Sequence, residues 1–280
     1  MRVGPVEPAA GGNRTGRNLP AAIAVGVGLG AAVIGSLYSP FKWLFLIVVV
    51  AAVGVGVTEL VRSFAARDAR VPMVPVLAGL VAMVGGAYWG GPGWLLGIFA
   101  TTVVALMIWR MFLGTEGYVR DVGATILVTV YPSMLAGFVA LLLKHPAEGP
   151  DQVVVFIATT VASDIGGYFA GISFGRHKMS PVISPKKTWE GFAGSALACM
   201  AVGGWLTVWL LEAELWKGVL IGAVVVVFAT LGDLVESVIK RDLGVKDMGS
   251  VLPGHGGMMD RLDSLVAALV PVWALLTLLT

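Results

Sequence analysis

Five polar residues recur at helical spacing near the end of a long apolar stretch, in the segment GDLVESVIKRDLGVKD. They are Asp233, Glu236, Ser237, Lys240 and Arg241. Positions three, four, seven and eight apart lie on one face of an α-helix. That face would present carboxylates at its membrane end and cations one or two turns further out. Such a face suits the handling of phosphates, although an ion cluster that only neutralises itself within the membrane is the alternative.

A second polar block, PGHGGMMDRLDS, opens the last apolar stretch of the chain. Asp260 and Asp263 are three residues apart and therefore share a helical face. Together with Asp233 they would offer oxygen ligands to a divalent cation. Asp263 has an equal alternative, because the helix dipole favours an acidic residue in a first turn.

The loop before these acids carries Lys246 and the run Gly-His-Gly-Gly at 254–257. Glycines let backbone N–H groups approach an anion closely, although a plain glycine-rich connector fits equally well. His255 has no His or Cys near it in sequence. We therefore expect it to bind a phosphate or a backbone group rather than zinc.

A third block, ISPKKTWEG at 183–191, places Ser184 beside two adjacent cations, Lys186 and Lys187. This block is either a phosphate-binding segment or a basic loop that contacts lipid headgroups. Asp164 stands within the apolar stretch before it, in ASDIGGYFAG, and a carboxylate there needs a partner or a metal.

The three blocks together supply carboxylates, cations and glycines, a combination that fits phosphoryl or nucleotidyl transfer. The chain has one cysteine and three histidines. The single cysteine excludes an intrachain disulfide framework and a multi-cysteine metal site. The basic residues are spread over short loops, which argues against a nucleic-acid-binding module.

The composition places these blocks in a membrane protein. Of the 280 residues, 57% are hydrophobic and 13% charged, whereas a soluble domain carries about 25% charged residues. Apolar runs near the length of a spanning helix recur nine times and lack the alternation of barrel strands. We predict an all-α polytopic membrane protein with nine transmembrane helices, at 19–38, 41–60, 72–90, 93–113, 122–143, 152–175, 192–211, 215–235 and 262–279.

We expect residues 1–17 to form a flexible tail and 18–280 a single membrane domain. Five helices in 18–150 would precede a catalytic half in 151–280. A ladder of Gly167, Gly171 and Gly175 on the sixth helix indicates close helix packing.

The basic residues predict the orientation. With nine spans, all but three of the 19 Lys and Arg residues lie on the side of the amino terminus. The exceptions are Lys42, Lys144 and Lys217. By the positive-inside rule the rich side is cytoplasmic. We therefore expect the amino terminus and all three polar blocks to face the cytoplasm, in a plasma membrane of bacterial type.

Residues 237–263, SVIKRDLGVKDMGSVLPGHGGMMDRLD, resemble the pattern of the phosphatidate cytidylyltransferases, also called CDP-diacylglycerol synthases. The segments GDLVES, SDIGGYFAGISFG and SPKKTWEG also resemble that family, so the likeness covers the carboxyl-terminal half. It implies a nucleotidyltransferase of phospholipid biosynthesis that joins CTP to phosphatidic acid and releases pyrophosphate. It further implies Mg²⁺, with the number of cations left open, and a homodimer.

The resemblance and the residue types together suggest roles. We assign Asp233 and Asp260 to Mg²⁺, with Asp164, Glu236 and Asp263 as second choices. Three cations, Lys240, Arg241 and Lys246, would hold phosphates of CTP or pyrophosphate. The remaining predicted substrate-binding residues are Ser184, Lys186, Lys187, Ser237, His255, Gly256, Gly257 and Arg261. Whether the third block binds the lipid or the nucleotide phosphate stays open.

Two other classes of protein compete with this interpretation: a different membrane transferase, and a transporter or channel. A CDP-alcohol phosphotransferase would carry D-x-x-D-G-x-x-A-R, which is absent from the sequence. A polyprenol or dolichol kinase fits better, because it would also use a nucleotide and a phosphate acceptor in the membrane. A transporter or channel would suit the intramembrane Asp164 and the glycine-interrupted helices. The gathering of ionisable residues on one face of the membrane, rather than at its midplane, argues against transport.

Overall fold

Nine helices and one short hairpin make up the fold of the computed structural model, which describes residues 19–251 and 256–279. The helices are α1 (Leu19–Leu37), α2 (Trp43–Ala65), α3 (Met73–Gly90), α4 (Pro92–Met111), α5 (Tyr118–Leu143), α6 (Gly149–Phe174), α7 (Trp189–Leu210), α8 (Leu215–Leu243) and α9 (Met259–Leu279). The strands are β1 (Lys178–Ser180) and β2 (Ser184–Thr188). The predicted tail at 1–17 and His255 lie outside the described residues.

The predicted all-α membrane class is confirmed. In the described part of the chain, 8 helices, α2 to α9, are long and apolar enough to cross a membrane. The apolar part of α1 found there, Gly26–Leu37, is shorter. The ninth span therefore stays a prediction.

The largest boundary difference is in α8, which runs to Leu243 instead of ending near residue 235. The polar face continues the helix beyond its apolar part, because Glu236 and Lys240 pair at i,i+4 and Lys240 and Arg241 in the last turn complement the helix dipole. Gly244 then ends α8 in the left-handed conformation, at φ 69°, which glycine adopts without steric cost.

The hairpin is an addition to the predicted architecture. Its strands pair antiparallel, with Lys178 opposite Thr188 and Ser180 opposite Ser184. The Thr188 hydroxyl accepts the Gly191 N–H at 3.1 Å and so caps α7, which begins at Trp189 rather than near 192. The third polar block is therefore held as a strand against the start of a helix, not as a free loop.

A π-helical segment, Thr129–Met134, interrupts α5 around Pro132. Proline lacks the N–H that an α-helix requires, and such bulges are frequent at functional sites. The segment contains Tyr131, whose hydroxyl donates to the Gly232 carbonyl of α8 at 3.3 Å. The interruption thus ties α5 to the helix that carries Asp233.

Small residues bring α6 and α7 together, as the glycine ladder predicted. A Cβ on Gly167 would overlap the Ser195 hydroxyl, and one on Gly171 would lie 3.6 Å from the Thr188 hydroxyl. This close crossing places the carboxyl end of α6 beside the hairpin and the start of α7.

Gly232 sets the crossing of α8 and α9. A Cβ at this position would lie 2.5 Å from the Ala267 Cβ and 2.7 Å from the Asp263 carbonyl oxygen. The backbones can therefore meet only because residue 232 has no side chain. The crossing brings Asp233, the next residue, alongside the first turns of α9.

We expect Gly232→Ala to force α8 and α9 apart and to lower the thermal unfolding temperature in detergent by several degrees, corresponding to about 1–3 kcal/mol for an overpacked site. Gly123→Ala in α5 is the matched control, because a Cβ there has nothing within 4 Å. Equal unfolding temperatures for the two variants would contradict the close crossing.

Long-range contacts identify the two ends of the bundle. At one end, Arg67 after α2 donates to the Leu243 carbonyl of α8 at 3.0 Å. At the other, Lys217 near the start of α8 donates to the Leu279 carbonyl at 2.7 Å. The polar extension of α8 and the start of α9 therefore lie at the same end as the α2–α3 connection.

Candidate active site

The polar face of α8 forms as predicted. The Ser237 hydroxyl lies 3.5 Å from Asp233 Oδ1, and the Lys240 ammonium pairs with the fully buried Glu236. One continuous helix thus carries a partly exposed carboxylate at Asp233, a buried carboxylate at Glu236 and then a cation at Lys240, which is nearest the end of the helix.

A cavity of about 260 Å³ lies beside this face, between α6, the hairpin, α7 and α8. Its lining comes from these four elements and from Ser264 of α9. The predicted site residues that line it are Asp164, Ser184, Lys186, Lys187 and Asp233. The structure therefore gathers the third polar block, Asp164 and the start of the α8 face around one space.

Lys187 joins the hairpin to α8. Its ammonium lies 2.7 Å from Asp233 Oδ2 and donates to the Thr230 carbonyl at 3.3 Å. The side chains of Lys187 and Asp233 are 21% and 36% exposed, and an ion pair of that accessibility adds at most about 1 kcal/mol of stability. The pair therefore leaves both charges available to a ligand in the cavity.

The residues around the cavity form one polar cluster. Asp260 is the centre of a second polar cluster, at the start of α9. Its Oδ1 accepts the Lys240 ammonium at 2.9 Å, and its Oδ2 accepts the N–H groups of Met248 and Gly257 at 3.1 and 2.9 Å. Hydrogen bonds from a cation and two amides favour the ionised carboxylate. Met248, before the glycine-rich run, and Gly257, at its end, thus bond directly to Asp260, which is only 9% exposed.

Lys240 pairs with Asp260, one of the two predicted metal ligands, whereas Asp233, the other, pairs with Lys187. Lys240 lies seven residues beyond Asp233 on α8, about 10 Å along the helix axis, and its ammonium reaches Asp260. Asp263, 8% exposed, accepts the Ser264 N–H at 2.6 Å and lies within electrostatic range of Asp233 and Lys240. The acids are thus distributed along one helix crossing at one end of the bundle.

The other predicted site residues lie around this crossing. Arg241 is exposed, with its Nε 3.5 Å from the Ile183 carbonyl of the hairpin. Arg261 lies within electrostatic range of Asp164. Lys246 is exposed on the loop and does not line the cavity. Gly256 has a positive φ of 86°, and a Cβ there would lie 3.4 Å from Asp260 Oδ2.

The donor set fits a hard divalent cation, since it consists of carboxylate oxygens that reach one face of a helix pair. In the described part of the chain, no three His, Cys, Asp or Glu side chains converge tightly enough to hold a metal ion by themselves. A Mg²⁺ ion at Asp233 or Asp260 would therefore need further ligands from substrate phosphates and water. That arrangement is usual for Mg²⁺ in phosphate-transferring sites.

Glu59, an acid of α2 that was not predicted from the sequence, reaches the second cluster. It is 2% exposed, and its Oε2 accepts the Met259 N–H at 2.9 Å. The signal was present, because an ionisable residue in the apolar run VGVTELV needs a functional or structural partner. The amino-terminal half therefore contributes to the site and is more than a set of hydrophobic spans.

Comparison with known proteins decides the family. The family model described as "Cytidylyltransferase family" matches residues 20–279. The chain belongs to this family. The match includes all three polar blocks and also α2, which carries Glu59.

Three curated proteins are similar to the chain, two of them over nearly its whole length. The phosphatidate cytidylyltransferase of Mycobacterium leprae is 40% identical over 95% of this chain and 90% of its own length. That of Mycobacterium bovis is 42% identical over 98% of this chain and 93% of its own length. The Brucella suis enzyme of the same name is 38% identical over 64% of this chain and 69% of its own length.

Proposed function

We propose that this chain is a phosphatidate cytidylyltransferase, which converts CTP and phosphatidic acid to CDP-diacylglycerol and pyrophosphate. The family and the names of its similar relatives support this activity. The observation that carries it in the structure is the cavity in which Asp164, Lys187 and Asp233 meet beside the Lys240–Asp260 pair. Such a site is suited to two phosphates that would otherwise repel each other.

The reaction requires positioning and charge neutralisation more than proton transfer. A phosphate oxygen of phosphatidate attacks the α-phosphorus of CTP, a new P–O bond forms, and the bond to the β-phosphate breaks to release pyrophosphate. The nucleophile is already an oxyanion, so no general base is required. This explains why a carboxylate-and-lysine site suffices without a nucleophilic serine or cysteine.

The cations divide between the two parts of the site. Lys187, and Lys186 beside it, face the cavity and would hold one phosphate group there. Lys240 lies between Glu236 and Asp260, from where its ammonium would neutralise charge on the nucleotide phosphates or on the departing pyrophosphate. Arg241 and Lys246, both exposed, would draw CTP towards the site from the aqueous side.

Asp233 and Asp260 are the proposed Mg²⁺ ligands, with Asp164, Glu236 and Asp263 close by. When bound, the ion would supply Lewis-acid polarisation of the phosphate oxygens. Asp233 stays partly exposed, whereas Asp260 is fixed by two amides and Lys240. The two acids would thus present one adaptable and one preorganised ligand.

We place the site at the cytoplasmic surface of the membrane, where CTP is available. The segregation of basic residues in the sequence supports this orientation. The homodimer implied by the resemblance stays a prediction, which cross-linking in native membranes would test.

Labelled CTP tests the proposed reaction. Purified protein in detergent with phosphatidic acid should move label from [α-³²P]CTP, but not from [γ-³²P]CTP, into chloroform-extractable lipid. Transfer of the γ label would indicate a lipid kinase. Ion flux in liposomes without any labelled lipid would favour a transporter.

Lys187→Ala should lower turnover about tenfold to hundredfold, because the cavity loses the cation that balances Asp233 and a phosphate. Its unfolding temperature should change little, since a partly exposed ion pair adds little stability. Lys178→Ala, in the same hairpin but exposed and outside the cavity lining, is the control. Wild-type turnover in Lys187→Ala would leave the hairpin lysines with a role in membrane topology only.

A further inference from the structure

Glu59 is a buried acid that the proposed reaction does not use. It lies in α2, 200 residues before the backbone N–H that it accepts, and it is 2% exposed. Its Oε1 has no hydrogen-bond partner among the described residues. A buried carboxylate of this kind is costly to retain, which calls for a specific reason.

The contact of the Glu59 carboxylate with the start of α9 supplies such a reason. Met259 is the first residue of α9 and directly precedes Asp260. The first N–H groups of a helix have no partner within it, and Glu59 Oε2 accepts that of Met259 at 2.9 Å. A negative charge there is also favoured by the helix dipole. Glu59 therefore caps the first N–H group of α9 from a different helix.

Close packing holds α2 against this helix start. A Cβ added to Gly56, one turn before Glu59, would lie 3.3 Å from the Met259 sulfur and 3.6 Å from its Cα. The carboxylate of Glu59 is thus delivered by a rigid helix and not by a flexible loop.

The same carboxylate touches both ends of the loop that serves Asp260. A Cβ on Gly249 would overlap Glu59 Oε1. A Cβ on Gly257 would lie 2.8 Å from Glu59 Oε2 and 2.8 Å from Asp260 Oδ2. Glu59 and Asp260 therefore both pack against Gly257, which donates its N–H to Asp260.

We propose that Glu59 is a positioning residue that fixes the first turn of α9, together with Gly249 and Gly257, so that Asp260 holds its catalytic geometry. The inference rests on the proposed function for the role of Asp260. Glu59 acts through Met259 and Gly257 and does not itself touch the reacting phosphates.

Three variants of α2 test this role. Glu59→Gln keeps the shape and an oxygen that can accept the Met259 N–H, whereas Glu59→Ala removes the acceptor. Thr58→Ala is the matched control, because the Thr58 hydroxyl donates to the Val55 carbonyl within α2 itself, at 2.7 Å. Each is compared with the wild type by steady-state kinetics and by amide hydrogen exchange of the peptides covering 245–260 and 178–188.

We expect Glu59→Ala to lower kcat about tenfold to hundredfold, since a small misplacement of a site residue has effects of that size. Exchange should accelerate at 245–260 and stay at the wild-type rate in the hairpin peptide. Glu59→Gln should retain kcat within about threefold, because a neutral hydrogen bond replaces a charged one. Thr58→Ala should match the wild type in both measurements.

Several results would overturn the proposal. Wild-type exchange at 245–260 in Glu59→Ala is one, whatever its activity. A Glu59→Gln variant as inactive as Glu59→Ala, with undisturbed exchange, is another, because the charge itself would then be required. If Glu59→Ala does not fold, Glu59→Asp takes its place: it should show a reduced kcat and faster exchange at 245–260 only, and wild-type values for both would overturn the proposal.

Failure of the proposed function is recognised separately. If the wild-type protein transfers no cytidylyl group to phosphatidate, the function is wrong. The exchange comparison at 245–260 still decides whether Glu59 fixes the start of α9 and the two glycines beside it.

Discussion

Asp260→Asn should lower the rate of cytidylyl transfer roughly 10²–10³-fold, the loss typical of removing one preorganised electrostatic contact. Asp260 accepts Lys240 and the amides of Met248 and Gly257. An Asn side chain can satisfy some of these donors but carries no charge for a cation. We expect Asp233→Asn to have a loss of similar size, and added Mg²⁺ to restore neither variant fully.

Asp247→Asn controls for the general loss of a negative charge near the loop, because Asp247 is exposed and lies outside both polar clusters. Its turnover should match that of the wild type. Near-normal turnover in Asp260→Asn or Asp233→Asn would remove that acid from the reaction centre.

Lys240→Ala should be the most destabilising single change in the site. Lys240 lies between Glu236, which is fully buried, and Asp260, which is 9% exposed. Removing the cation leaves two buried carboxylates facing each other, and breaking a buried pair in this way costs about 3–5 kcal/mol. In a protein of this size that corresponds to a fall of about 10 °C in unfolding temperature, measurable by tryptophan fluorescence in detergent.

A double variant separates stability from activity. Lys240→Met combined with Glu236→Gln removes the cation together with one of its acids, so at least half of the lost stability should return. Turnover should stay low, because the cation near the nucleotide phosphates is still missing. Full activity in the stable double variant would contradict the assignment of Lys240, and an unchanged unfolding temperature in Lys240→Ala would contradict the buried pair.

The membrane helices were predictable because an apolar run of spanning length has few alternatives. In the described part of the chain, eight helices are long and apolar enough to cross a membrane, and each overlaps a predicted span. The polar extension of α8 to Leu243 was harder to place from hydropathy, since the residues that prolong it are charged. Its helical nature was nevertheless visible in the spacing of Asp233, Glu236 and Lys240.

The hairpin and the π segment show where local patterns were insufficient. Strand β2, SPKKT, contains a proline and two lysines and has no apolar alternation, so nothing in its composition favours a strand. Its pairing with β1 and its attachment to α8 through Lys187 are long-range features. The π segment has a local cause in Pro132, but its hydrogen bond to Gly232 of α8 is likewise long-range.

The sequence indicated polar residues of the candidate site one by one, but it did not indicate how they pair. The sequence indicated Asp233 and Lys187 separately, and only the fold shows them 2.7 Å apart. Glu59 was missed because its partners are 190 or more positions away, in the 249–259 segment. Contacts of this separation are decided by helix packing, which a single sequence does not display.

The most direct test of a shared metal centre is Mn²⁺ binding measured by electron paramagnetic resonance, with a non-hydrolysable CTP analogue present. The wild-type protein should bind Mn²⁺ in a CTP-dependent manner, and both Asp233→Asn and Asp260→Asn should weaken that binding by about tenfold or more. Wild-type Mn²⁺ affinity in both variants would show that these two acids do not form the centre at which CTP and phosphatidate react.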